Sequence, residues 1–100
     1  MIHVEEKHLK ILHKILSKYP YQFFAFGSRV KGTKKRFSDL DLCYKDSIPS
    51  VTLSKIEEEF EESNLPFKID IVNWDHCSDD FRKLIEKDMI PLEFDKNLKT

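Results

Sequence analysis

Glycine is nearly absent from this sequence: Gly27 and Gly32 are the two in 100 residues. With only four prolines besides, the chain carries no low-complexity linker, and no internal repeat is found. Cysteine is as scarce. Cys43 and Cys77 stand far apart in no C-x-x-C arrangement, and residues 1–6 lack a basic stretch followed by an apolar run, which together point to the cytoplasm. No segment approaches the ~20 apolar residues needed to span a bilayer. An excess of either charge is missing too: 17 basic against 18 acidic residues leave a formal net charge of -1. A long nucleic acid gripped mainly through its phosphates is therefore not expected, whereas a nucleotide-sized phosphate ligand is compatible.

What is present is one small domain's worth of apolar periodicity, expected to occupy residues 1–100 as a single unit. Leu9, Leu12, Ile15, Leu16 and Tyr19 recur at intervals of three and four and predict an amphipathic helix over about residues 5–18, stopped by Pro20. His3, His8 and His13 do not share one face of it. Residues 21–26 are aromatic and almost continuously apolar, as for a strand buried on both faces. Ser28 is suited to begin a short helix that Gly32 ends. Residues 33–37, with Lys34, Lys35 and Arg36, form a basic loop whose simplest role is a solvated charge run.

A second strand is expected over residues 39–44, a second long helix over about 51–63 with Leu53, Ile56 and Phe60 inward, and a third strand over 67–72. Residues 73–77 are expected as a loop. Ser78 then caps a helix reaching about residue 87, with Phe81, Leu84 and Ile85 facing the core. Residues 90–94 add a short extended segment and 95–100 a frayed end. The overall expectation is an α/β (α+β) fold, a small mixed β-sheet with helices packed on it.

The chemistry concentrates in residues 23–44. An apolar strand stops at Gly27-Ser28, ten residues (29–38) intervene, and Asp39-Leu40-Asp41-Leu42 opens the next strand. Side chains two apart on a strand share a face, so Asp39 and Asp41 project together while both leucines pack behind them. Two such carboxylates repel, and one pKa rises unless a cation lies between them. Magnesium suits the place, since it takes hard oxygen ligands from one or two carboxylates and completes its shell with phosphates and water. Asp70, an isolated acid in the third strand and an expensive one to bury unpaired, is the best third ligand. In a two-metal scheme, Asp39, Asp41 and Asp70 hold one ion near an acceptor hydroxyl, and Asp39 with Asp41 hold the other on the triphosphate. Asp70 is also placed to take the acceptor's proton. Gly27 lets backbone approach a ligand closely, and Ser28 with the amides after it can hydrogen-bond phosphate oxygens.

Taken singly, a Gly-Ser pair is usually a turn and an Asp-x-Asp a solvated strand end. Their order and spacing resemble the nucleotidyltransferase superfamily related to DNA polymerase beta. Gly27-Ser28-Arg29-Val30-Lys31-Gly32 with Ser38-Asp39-Leu40-Asp41-Leu42 looks most like its minimal members, the MNT-type proteins. The resemblance implies magnesium-dependent transfer of AMP from ATP, with Asp39, Asp41 and Asp70 as metal ligands and Gly27 and Ser28 as nucleotide contacts. Arg29 matches the arginine of the family's Gly-Ser-Arg, either as part of the nucleotide turn or as a structural group pairing with a carboxylate. Lys31 replaces an arginine frequent in the group, which keeps charge but loses the bidentate fork.

Minimal members lack the helical domain of larger relatives, so the resemblance further implies a hetero-oligomer. The implied partner is a helical HEPN-type protein, a toxin neutralised by AMP placed on its tyrosine, which makes this chain the antitoxin. Two alternatives stand beside that expectation: a non-catalytic module neutralising its partner by binding, and a nucleotidyltransferase for a small acceptor such as an aminoglycoside. Residues 74–77, which include His76 and Cys77, read most simply as a plain loop, and Cys43 as a small buried apolar residue.

Overall fold

The structure, a computed structural model, describes residues 2–32 and 39–93. The basic loop and the frayed end expected above lie outside the described residues. In chain order the elements are α1 (Glu6–Leu16), β1 (Phe23–Phe26), α2 (Ser28–Lys31), β2 (Leu40–Tyr44), α3 (Ser50–Glu61), β3 (Ile69–Asn73), a one-turn 3-10 helix (Trp74–His76), α4 (Asp79–Glu86) and β4 (Ile90–Leu92).

The four strands form one mixed sheet in the order β3-β2-β1-β4. β1 runs antiparallel to both neighbours, β2 and β4, whereas β2 and β3 are parallel. A parallel pair cannot be joined by a tight hairpin, and α3 supplies the crossover it needs.

Strand alternation sends Phe23, Ala25, Leu40, Leu42 and Tyr44 to one face, where Leu12, Ile15 and Leu16 of α1 and Ile56 and Phe60 of α3 complete the main core. α1 is further tied to α3 by Lys18 and Tyr19, which both donate to the Glu59 carboxylate. The opposite face carries Phe26 and Cys43, covered by Ile85 and Phe81 of α4 with Val72, Trp74 and Met89 alongside. Cys43 is fully buried there, in keeping with its expected role as a small apolar residue.

Three expectations need correction. Leu84 is 60% exposed rather than core-facing. Phe81 and Ile85 lie one turn apart and take the sheet contact, while Leu84 sits about 100° around the axis from Ile85 and misses it. Asp70 is exposed, because β3 is an edge strand, so its carboxylate stays in water instead of suffering burial. Residues 74–76 are a 3-10 turn rather than an irregular loop, held by the Asn73 side chain accepting from the Asp75 amide at 3.0 Å.

The Ser78 cap is present, its Oγ accepting from the Phe81 amide at 3.2 Å. Replacing an N-cap serine by alanine costs about 1 kcal/mol. Ser78→Ala is therefore expected to lower the urea midpoint with an unchanged m-value, because it loosens the start of α4 without altering the surface exposed on unfolding.

Candidate active site

The site grows from one end of the sheet, where β1 finishes and β2 and β3 begin. Phe26, the last residue of β1, is the antiparallel partner of Asp41. The chain must leave the sheet immediately afterwards, and Gly27 does so at φ +84° and ψ -157°, a conformation essentially restricted to glycine. Its carbonyl then accepts from the amides of Val30 and Lys31 at 3.0 and 3.1 Å, closing the single turn of α2. Gly32 ends that turn in the left-handed conformation expected for it.

One of the two glycines has a local explanation at position 27. A Cβ added there would lie 2.3 Å from Oδ2 of Asp41. The carboxylate thus rests directly against the backbone of the glycine turn, and no side chain fits between them.

On the other side of β2, Asp41 is the parallel register partner of Asp70. Neighbouring strands lie about 4.8 Å apart and paired residues point to the same face, so the two carboxylates are side by side. Asp39, two residues before Asp41, is exposed at the mouth of β2. The Asp41 carboxyl is consequently pushed up to about 6, first by its partial burial, then by the charges of Asp70 and Asp39. The repulsion expected from the alternating aspartates is thus present and falls on Asp41, with desolvation adding most to it.

Asp41 and Asp70 are register partners with Asp39 two residues ahead of Asp41, and every side-chain donor they offer is a carboxylate oxygen. Among the described residues, however, no group of three or more His, Cys, Asp or Glu side chains is drawn together tightly enough to hold a metal unaided. That donor set fits magnesium better than zinc, since magnesium is commonly held by one or two carboxylates and finishes its shell with substrate phosphates and water.

Arg29 points into the fold. It is 3% exposed, its Nη1 donates to the carbonyl of His3 at 3.0 Å, and its guanidinium stacks 4.0 Å above the centre of the Phe67 ring. Burial pulls its pKa down, while the Asp39 carboxylate opposes that pull. Arg29, expected from the sequence either in the nucleotide turn or as a structural group, is thus placed inward. His3 and Phe67 were not singled out as site residues. Phe67 carried a faint signal as the aromatic just ahead of the third strand, but His3 acts through its backbone, which no residue type announces.

Comparison with known proteins decides the family. The model of the family described as polymerase beta, nucleotidyltransferase matches residues 10–95, which run from α1 to beyond β4. This chain is a member of that family. It is also 38% identical over 88 residues, covering 84% of this chain and 77% of the other, to the probable protein adenylyltransferase MntA of Haemophilus influenzae. The expected α/β fold with a small mixed sheet agrees with that membership, as does the expectation of an enzyme, and the sheet has four strands. In this nucleotidyltransferase the described helices include none long and apolar enough to cross a membrane.

Proposed function

We propose that this nucleotidyltransferase, working as one unit over residues 1–100, transfers AMP from ATP to a hydroxyl of a protein partner. Asp39, Asp41 and Asp70 serve as its metal ligands. The observation that carries the proposal is the register of β1, β2 and β3, which sets Asp41 between Asp70 and the Gly27 backbone at one sheet end. A protein acceptor is favoured by the likeness to the Haemophilus influenzae relative, a probable protein adenylyltransferase. Resemblance to the minimal nucleotidyltransferases adds the finer detail: the partner is a helical HEPN-type toxin, the acceptor a tyrosine, and this chain its cytoplasmic antitoxin.

Magnesium bound at this corner, as two ions, would neutralise triphosphate charge and lower the pKa of the acceptor hydroxyl. The protein's own groups do the rest. Gly27, having no Cβ, leaves room for the Asp41 carboxylate against the turn, and Ser28 offers a part-exposed hydroxyl to phosphate oxygens. Asp39 and Asp41 would hold those ions beside the triphosphate. Asp70, exposed on the edge strand and so open to an incoming partner, accepts the proton of the attacking hydroxyl. The acceptor oxygen forms a bond to the α-phosphorus, the bond from that phosphorus to the bridging oxygen breaks, and pyrophosphate leaves.

Purified protein incubated with ATP, magnesium and a co-encoded helical partner should add AMP to the partner, seen by intact mass and mapped to a tyrosine by fragmentation. Neutralisation of the partner that persists in full with Asp70→Asn, without added mass, would favour a purely binding role. Mass appearing on an aminoglycoside instead would favour a small acceptor.

A further inference from the structure

Arg29 is the sole charged residue among the described buried ones, and its surroundings are specific. The segment before α1 is strapped to α2 by reciprocal bonds: the His3 amide donates to the Arg29 carbonyl at 2.6 Å, and Arg29 Nη1 donates back to the His3 carbonyl. Beneath the guanidinium, Phe67 is 8% exposed and is met edge-on by the His8 ring, with centroids 5.6 Å apart. The next residue, Lys68, accepts from the Leu40 amide at 2.9 Å, which fastens the start of β2 to the approach to β3. Asp39 is the residue immediately before Leu40. A planar cation held at its edge by a carbonyl and on one face by an aromatic ring thus lies where α2, the mouth of β2 and the approach to β3 meet.

We propose that Arg29 is a positioning residue for the transfer reaction: from inside the fold it fixes Asp39 against the Gly27-Ser28 turn, without touching the nucleotide itself. This rests on the proposed role of Asp39 as a metal ligand. A guanidinium suits the task because it stays charged when buried, stacks flat on an aromatic ring and offers donors along several edges in one plane. Lysine in its place would keep the charge but lose both the stack and the planar fork. Ser28, adjacent in sequence, is partly exposed and remains available to phosphate, so the turn divides its labour between an inward and an outward neighbour.

Calorimetric titration with a non-hydrolysable ATP analogue, with and without magnesium, tests the assignment at a temperature where each variant is folded by circular dichroism. For Arg29→Lys, the magnesium concentration giving half the metal-dependent gain in affinity is expected to rise about tenfold, as when the outer partner of a metal ligand is changed, while metal-free affinity stays within about twofold of wild type. Phe67→Leu removes the ring beneath the guanidinium and shifts the magnesium requirement in the same direction. It carries the test alone if Arg29→Lys does not fold. A large loss of metal-free affinity with an unchanged magnesium requirement would overturn the proposal and place Arg29 on the phosphates. An unchanged magnesium requirement and unchanged affinity in folded variants would overturn it as well, leaving Arg29 a fold staple only. Asp39→Asn separates the two levels: if it keeps the wild-type magnesium response, the metal-ligand role of Asp39 fails and the positioning role falls with it. If Asp39→Asn loses that response but Arg29→Lys does not, the positioning role fails alone.

Discussion

Asp41→Asn should stabilise the protein in the absence of metal and nucleotide while removing its activity. The Asp41 carboxyl has its pKa raised from 3.8 to about 6, so the folded protein holds that proton more tightly than the unfolded chain. Below the unfolded value both states are protonated and the contribution vanishes. Between the two values folding is progressively weakened as pH rises, and above about 6 the full penalty is present. Taken at face value such a shift corresponds to about 3 kcal/mol, and screening by water at this part-exposed corner reduces it to about 1 kcal/mol. A neutral asparagine escapes that cost. At pH 7.5 its Tm is expected about 4–8 °C above wild type, the usual response of a domain this size to 1 kcal/mol. Near pH 4 the two melting temperatures should converge. Transfer activity is expected to fall by about 10²–10³-fold or more, the scale on which losing one electrostatic group at a reacting centre acts. Magnesium with an ATP analogue should raise the wild-type Tm and leave that of Asp41→Asn nearly unmoved, because a ligand stabilises only the state that binds it. An Asp41→Asn protein less stable than wild type at pH 7.5 would contradict this account of the corner.

Gly27→Ala is expected to be the most damaging single-methyl change near the site. The backbone there sits in a region closed to other residues, a strain of about 1–3 kcal/mol for any side chain. The added Cβ would also fall 2.3 Å from Asp41 Oδ2, well inside contact distance. Together these effects should cost about 3 kcal/mol and lower the Tm by more than 10 °C, with activity lost even where the protein is folded. The two components separate in a double-mutant cycle. In an Asp41→Ala background the carboxylate is gone and only the backbone strain remains, so the two substitutions should cost less together than their sum, by about 0.5–3 kcal/mol. Strict additivity in chemical denaturation would mean that the carboxylate does not press on the turn.

Much of this architecture could be read from residue order, and the divisions follow physical lines. Periodicities of two and three to four report which face of an element is apolar and mark α1, β2 and α3, while a continuous apolar run marks β1 and the residue type of Ser78 marks the cap of α4. They say nothing of which strand lies at an edge. Asp70 was therefore expected as a costly buried acid, although β3 has a neighbour on one side only. Nor do they give the end of a short apolar stripe: Leu84 has the right spacing and the wrong azimuth, since α4 is only eight residues long and meets the sheet through Phe81 and Ile85.

At the site, Gly27, Asp39 and Asp41 could be picked out because local geometry alone ties them together. That Asp41 and Asp70 share a register depends on how α3 returns the chain, which is a property of the packed core. The inward turn of Arg29 depends on His3 and Phe67, which lie 26 residues before it and far along the chain after it. Contacts of that range leave no local pattern, so an arginine beside a phosphate turn carries the same signature whether it faces the ligand or the core.

The most direct test is transfer from ATP labelled at its α-phosphate, assayed with wild type and Asp41→Asn, with and without magnesium, in the presence of a co-encoded helical protein, the proposed partner. The account predicts label on the partner protein from wild type with magnesium alone. Label transferred equally by Asp41→Asn, or label absent from the partner under every condition, would contradict it.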